Sequence, residues 1–88
     1  MEISEETLRS VIKLGISREM PIMMDYWTES NKGLVFIGVK EEEKILVKNE
    51  EEYTSPIKQM YNSNNEYIIL TENSIYVVSN KIKAKKLK

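Results

Sequence analysis

Short apolar runs separated by short polar breaks restrict the folds open to this chain more than any other feature. Between residues 34 and 79 the runs LVFIGV, KILV, EYIIL and IYVV alternate with polar breaks such as TENS. Breaks of about four to six residues join adjacent antiparallel strands, whereas parallel strands require a crossover of about a dozen residues or more. The pattern therefore predicts an antiparallel meander, closed into a small barrel or curled over a core.

One helix is expected ahead of the strands. Ser4 is a typical N-cap residue, and Glu5 and Glu6 follow it in the first turn, where the helix dipole favours acidic side chains. Gly15 fits the left-handed position that ends many helices. We therefore expect a helix over residues 4–14.

A chain of 88 residues provides one modest core. The expected fold class is α+β, with the N-terminal helix packed on a five- or six-stranded antiparallel, barrel-like sheet. Residues 1–80 are expected to form this single domain, and residues 81–88 a basic C-terminal tail. The predicted strands are residues 22–27, 34–40, 44–48, 66–70 and 75–79, with a further strand that is either an edge strand over residues 53–61 or a strand entered at Ile57 after Pro56.

Two of these strands are expected to be buried on both sides. The segment 34–40 is almost wholly apolar, which indicates a central strand covered on both faces. In the last strand Tyr76 and Val78 share one face and Ile75 and Val77 the other. All four side chains are apolar or amphipathic, so this strand should also be covered on both sides.

Two residue types that are common in enzyme active sites are absent, and the nucleophiles that remain are Ser, Thr, Tyr and Lys. The chain has no histidine and no cysteine, which removes the usual general base and any thiol nucleophile. It contains neither G-x-S-x-G nor a phosphate-binding glycine loop. The carboxylate pair Asp25 and Glu29 is better explained by a strand residue followed by a turn residue. We expect a protein that is not an enzyme and has no cofactor and no metal site.

The charges are segregated along the chain. Residues 41–52 hold six glutamates against two lysines, a local net charge of −4. Such segments are solvated loops, or a surface that imitates a phosphate backbone and occludes the basic groove of a nucleic-acid-binding protein. Binding of a hard cation such as calcium is a third alternative, although no D-x-[DN]-x-[DN]-G loop organises the carboxylates. The residues predicted to bind a partner protein are Glu41, Glu42, Glu43, Glu50, Glu51 and Glu52, with Trp27 and Tyr53 as apolar anchors.

The end of the chain offers an alternative partner. Its last eight residues contain five lysines and no acidic residue. Such a tail is either a solvated terminus or a site that neutralises phosphates in DNA or RNA. The residues of this alternative are Lys81, Lys83, Lys85, Lys86 and Lys88. Edge pairing between two copies through LVFIGVK or IYVVS, giving a homodimer, is a further possibility.

One stretch of the chain resembles a known group of proteins. The segment YTSPIKQMYNSNNEYIILTENSIYVV contains T-S-P-I, a turn, an apolar strand and T-x-N-S-x-Y-x-V. From Thr54 to Val78 it resembles the terminal hairpin of short proteins carried by phages and other mobile elements. The resemblance implies a small inhibitor, similar to anti-CRISPR and other anti-defence proteins, that acts by binding a host protein.

The N-terminal sequence indicates where the chain resides. MEISEETLRS lacks the basic and apolar regions of a signal peptide, and no apolar run approaches the length of about 18 residues that spans a bilayer. We expect a cytoplasmic protein without membrane contact, located in the host cytoplasm if it is viral.

Overall fold

The chain folds into two β-sheets and an N-terminal helix, in a computed structural model that describes residues 2–87. The elements are α1 (Glu5–Arg18), β1 (Ile22–Met23), α2 (Trp27–Asn31), β2 (Phe36–Lys40), β3 (Glu43–Val47), β4 (Gln59–Ser63), β5 (Glu66–Leu70), β6 (Ile75–Ser79) and β7 (Lys83–Lys86). The first sheet has the strand order β1-β6-β5-β4, and the second sheet has the order β3-β2-β7. The predicted α+β class, with a helix packed on sheet, is confirmed.

The prediction of a wholly antiparallel, barrel-like sheet was wrong in two respects. The two sheets are not closed into a barrel, and each contains one parallel pair. β1 lies parallel to β6, with Ile22 opposite Ile75. β7 lies parallel to β2, with Phe36 opposite Lys83. The strands of each parallel pair lie far apart in the chain. The connection between them therefore exceeds the minimum length that a parallel crossover requires.

The chain passes from one sheet to the other between Thr54 and Lys58. The amide of Thr54 donates to the carbonyl of Leu46 at 2.9 Å, and that of Ile57 donates to the carbonyl of Lys44 at 2.7 Å. The amide of Lys58 then donates to the carbonyl of Leu70 in the first sheet at 2.7 Å. This segment therefore covers the outer edge of β3.

The two faces of the first sheet are covered by different layers. On one face Val11 of α1 packs with Ile68, Leu70, Ile75 and Val77. On the other face the second sheet packs against it, and the residues in this part of the core are Tyr26, Val35, Ile37, Leu46, Ile69 and Val78. The predicted burial of the last strand on both sides is confirmed.

The N-terminus of α1 is as predicted, but its C-terminus is not. The hydroxyl of Ser4 accepts from the amide of Thr7, and the helix continues past Gly15 to Arg18, where Glu19 adopts the left-handed conformation with φ 53°. Gly15 therefore does not end the helix; its role is to allow close packing of α1 against β1. A Cβ atom there would lie 3.1 Å from Cδ1 of Ile22, so the missing side chain lets β1 approach the helix.

The strand predicted over residues 22–27 ends at Met23, and Trp27 begins the short helix α2. β2 is the central strand of its sheet, as predicted. Along residues 2–87, no helix has both the length and the apolar character needed to cross a bilayer.

Candidate functional site

The side of the second sheet that faces away from the core carries a group of apolar side chains. Along β2 Val35 and Ile37 point into the core. The alternation of a strand directs Leu34 and Phe36 to the opposite side. There they line an open cleft of about 670 Å³ together with residues of β3 and of the chain after β7. We call this surface the outer face; its apolar residues are Leu34, Phe36, Ile45, Val47, Tyr53 and Leu87.

A glycine makes the floor of the outer face. Gly38 is buried, and a Cβ atom at this position would lie 2.7 Å from Cδ1 of Leu87 and 3.2 Å from Cγ2 of Val47. The absent side chain lets Leu87 lie across β2. The amide of Leu87 donates to the carbonyl of Val39 at 2.7 Å, which holds the end of the chain against the sheet.

Two large side chains of the outer face are unusually exposed. Leu34 is 54% exposed and Tyr53 63% exposed. Tyr53 lies beside Val47 through an isolated antiparallel bridge, so its backbone position is fixed by β3. Grouped apolar side chains without a covering layer are typical of a binding surface, whereas single exposed ones are common on any protein.

The C-terminal lysines belong to this site and not to a loose tail. Residues 83–86 form β7, which places Lys83 opposite Phe36 and Lys85 opposite Gly38. The Lys85 ammonium lies 4.6 Å from the centroid of the Phe36 ring. A second cleft of about 450 Å³ lies along this side of the sheet; its lining includes Leu34, Phe36, Lys81, Lys83 and Lys85. We call it the lysine cleft. Lys88 lies outside the described residues.

The structure does not bring the two acidic triplets together. Glu41 and Glu42 form the turn between β2 and β3, and Glu43 begins β3. The second triplet, Glu50–Glu52, follows the far end of the same strand. A strand of five residues spans about 17 Å. All six side chains are exposed, and Glu50 is the one that lines the cleft of the outer face.

The loop that carries Glu50 is fixed by its own hydrogen bonds. The Asn49 side-chain oxygen accepts from the amides of Glu51 at 2.8 Å and Glu52 at 3.0 Å. Lys48 Nζ lies 3.6 Å from a carboxylate oxygen of Glu52 and 3.8 Å from one of Asp25. Asp25 is thus placed beside a lysine, and Glu52 is already engaged within the chain.

The two predicted aromatic anchors lie in different layers. Tyr53 is on the outer face, whereas Trp27 begins α2 and packs against the core between α1 and the first sheet. The structure therefore groups Tyr53 and Glu50 but not Trp27 with them. Within residues 2–87, no three histidine, cysteine, aspartate or glutamate side chains cluster as ligands of a metal ion do.

An aromatic pair, the buried Tyr26 and the half-buried Tyr76, lies in the core between the two sheets. The rings of Tyr26 and Tyr76 meet edge to face, with centroids 5.0 Å apart, and Lys48 Nζ lies 5.5 Å from the centroid of Tyr26. Burial raises the pKa of the Tyr26 hydroxyl to about 12, with smaller contributions from Tyr76, Asp25 and Glu52. Burial also raises the pKa of Tyr76. Both rings are therefore neutral at physiological pH.

The prediction that residues 34–40 are covered on both faces was wrong, because no layer formed by the described residues covers the outer face. Sequence reasoning consequently missed Leu34, Phe36 and Leu87 as candidate binding residues. The signal was present in the apolar character of both faces of β2. Both helices pack against the first sheet, and the two sheets cover each other's inner faces, so among residues 2–87 no layer is left for the outer face.

No protein-family model matches this chain, and neither a curated protein nor a solved structure matches it significantly.

Proposed function

We propose that this chain is a non-enzymatic binding protein and that another protein docks on the outer face. The observation that carries the proposal is the uncovered apolar surface, in which Leu34 and Tyr53 are 54% and 63% exposed around an open cleft. Its make-up matches the common pattern of protein interfaces, with apolar and aromatic residues at the centre and charged residues at the rim. Here the rim is formed by Lys40, Lys48 and Glu50.

The resemblance of residues 54–78 to hairpins of phage and mobile-element proteins adds a setting to this proposal. In that setting the partner is a host protein, which the chain inhibits in the host cytoplasm. Occlusion of a basic groove by the acidic triplets is less well supported as the mechanism. β3 separates the triplets, and more lysines than glutamates border the outer face.

Nucleic acid is the second candidate partner, because Lys81, Lys83 and Lys85 line one cleft together with an aromatic residue. Aromatic rings next to lysines are typical of single-strand binding surfaces. However, the Lys85 ammonium lies over the Phe36 ring that a base would stack on. The net charge of −1 also lacks the positive excess usual in nucleic-acid-binding domains. We therefore favour a protein partner.

Site-specific photocrosslinking in cells tests the proposal. A benzophenone side chain is placed at Tyr53 on the outer face, or at Tyr61 on β4 as a control that is 40% exposed. We expect a discrete protein adduct from position 53 that survives nuclease treatment, and no such adduct from position 61. A nucleic-acid adduct at position 53, or the same protein adducts at both positions, would contradict the proposal.

Paired substitutions test the same surface. Leu34→Ser with Tyr53→Ser removes apolar area from the outer face, whereas Ile12→Ser with Ile16→Ser removes it from the exposed side of α1, where the two residues are 52% and 75% exposed. With a benzophenone at Phe36, the adduct should be lost in the outer-face pair and retained in the helix pair.

A further inference from the structure

We infer that the open edge of β7 binds an extended acidic segment of the partner protein, which adds to the second sheet as a fourth strand. The inference rests on the proposed function and names the chemistry of the partner. It follows from the edge geometry of β7, from the charge along that edge and from the cleft beside it.

In the part of the chain that the structure describes, no strand pairs with the outer edge of β7. The opposite edge, formed by β3, is paired with residues 54–57, as the hydrogen bonds from Thr54 and Ile57 show. β7 has β2 as its one strand neighbour among the described residues, and all four of its residues are exposed. An exposed strand edge is a ready template for another strand.

The direction of the backbone groups along β7 follows from one hydrogen bond. The amide of Leu87 donates to the carbonyl of Val39 in β2 at 2.7 Å. Because backbone groups alternate sides along a strand, those of Lys83 and Lys85 also point towards β2. The amides and carbonyls of Ala84 and Lys86 therefore point away from β2, to the open edge. A partner strand would pair with these two residues.

Charge selects an acidic partner strand over a second copy of this chain. Lys83, Lys85 and Lys86 lie in β7, and Lys81 lies in the turn before it. Pairing of two copies through β7 would place lysine opposite lysine, and directly opposed like charges destabilise a sheet. Carboxylates at alternate positions of a partner strand would instead lie beside Lys83 and Lys85 on the outer face.

The space on each side of β7 indicates which side chains the added strand can carry. The lysine cleft next to Leu34 and Phe36 has room on the outer face for side chains of the added strand. On the other face, Ala84 presents a single methyl group and leaves room for an apolar partner residue. The expected segment thus alternates acidic and apolar residues. DNA and RNA have no peptide backbone that could pair with the edge. Strand addition is therefore possible for a protein partner and not for a nucleic acid.

Selection from a library of displayed random ten-residue peptides tests the inference on the full chain. We expect enriched peptides with acidic residues at every second position. Ala84→Pro should weaken their binding at least about tenfold, because it removes an amide that points to the open edge. The amides that pair with β2 are retained, and proline is tolerated at such edge positions. Ala84→Ser keeps the amide and should bind like the unchanged chain.

A second measurement does not depend on how the proline variant folds. A selected peptide is synthesised with N-methyl groups on its even-numbered or on its odd-numbered amides. One of the two versions should lose binding to the unchanged chain by at least about tenfold and the other should keep it, because a strand pairs through alternate residues. Equal binding of both versions would overturn strand addition.

The remaining outcomes separate the inference from the proposed function. If peptides bind equally to the Ala84→Pro variant but are lost with Leu34→Ser and Tyr53→Ser, strand addition is wrong and the outer face stands as the docking site. If no peptide is enriched, or none of these variants weakens binding, the inference is overturned, and the crosslinking at Tyr53 decides the proposed function separately. If oligothymidylate binds the chain and its Ala84→Pro variant equally and displaces the peptides, the edge is a nucleic-acid site and the inference is overturned.

Discussion

Lys85 lies with its ammonium 4.6 Å from the centroid of the Phe36 ring, so a strand from the C-terminus and the central strand of the second sheet form one surface. The lysines of residues 81–88 and the apolar run of residues 34–40 are two separate features of the sequence. The parallel pairing of β2 with β7 makes them one site.

The same pairing predicts a loss of stability when β7 is removed. Deletion of residues 83–88 would uncover one edge of β2 and take the Leu87 side chain off Gly38. We expect the free energy of unfolding to fall by at least about 2 kcal/mol, measured by urea denaturation. The control is Lys83→Gln with Lys85→Gln, which keeps the strand and should cost less than about 0.5 kcal/mol. An unchanged stability after the deletion would show that β7 is not part of the fold.

Buried polar contacts between α1 and β5 give the second prediction. Glu66 is buried, and its Oε1 accepts from the hydroxyls of Thr7 at 2.6 Å and of Ser4 at 2.9 Å. Glu66→Ala leaves both hydroxyls without this acceptor and should lower the free energy of unfolding by about 2 kcal/mol or more. Glu66→Gln retains an acceptor oxygen and should cost distinctly less. Thermal unfolding of the two variants compares them, and equal losses would contradict the hydrogen-bond account.

The turn between β2 and β3 is strained at one position. Glu41 has φ 57°, in the left-handed region that glycine adopts without steric cost. Glu41→Gly should therefore raise the free energy of unfolding by about 0.5–1 kcal/mol. Glu42 is the matched control, because it occupies the next turn position and is not among the residues with positive φ. Glu42→Gly should leave stability unchanged or lower it, and the opposite order of the two variants would exclude strain at Glu41.

The raised pKa of Tyr26 predicts a pH dependence of stability. Burial raises this pKa from 10.0 to about 12, so the folded state holds the proton more tightly than the unfolded state. This contribution to the free energy of unfolding is fully present below pH 10 and is lost as the pH rises through about 12. Tyr26→Phe should reduce the loss of stability between pH 9 and 12, measured by urea denaturation.

Separate charge reversals test the role of the acidic triplets. Because β3 holds the triplets apart and lysines border the open edge, reversal of Glu41–Glu43 to lysine should not weaken partner binding. Reversal of Glu50–Glu52 changes one rim residue of the outer face, Glu50, and should not abolish binding. The measurement is the yield of the protein adduct from a benzophenone at Phe36. A loss of the adduct with either reversal, with an unchanged circular dichroism spectrum, would support occlusion of a basic groove instead.

The features that the sequence predicts are those set by residues close together in the chain or by the alternation of side chains along a strand. Ser4 caps the helix through the amide of Thr7, three residues away. The alternation along Ile75–Ser79 also determines which side chains face α1 and which face the second sheet.

The rest depends on contacts between distant segments. Ile82 and Ala84 allow a continuation of the last strand, but that the KIKAKK segment forms a separate strand depends on the edge that β2 offers it. The outer face was missed for a related reason. An apolar strand indicates burial, but the number of layers a chain can build decides whether both of its faces are covered.

Amide hydrogen exchange along β7 tests the account most directly, in the free chain and in the complex with its partner or a selected peptide. In the free chain the amides of Lys85 and Leu87 should exchange slowly, because they donate to β2, and those of Ala84 and Lys86 should exchange quickly. On binding, the Ala84 and Lys86 amides should become protected. Equal protection of all four amides in the free chain, or fast exchange at Ala84 and Lys86 in the complex, would contradict an open strand edge that receives the partner.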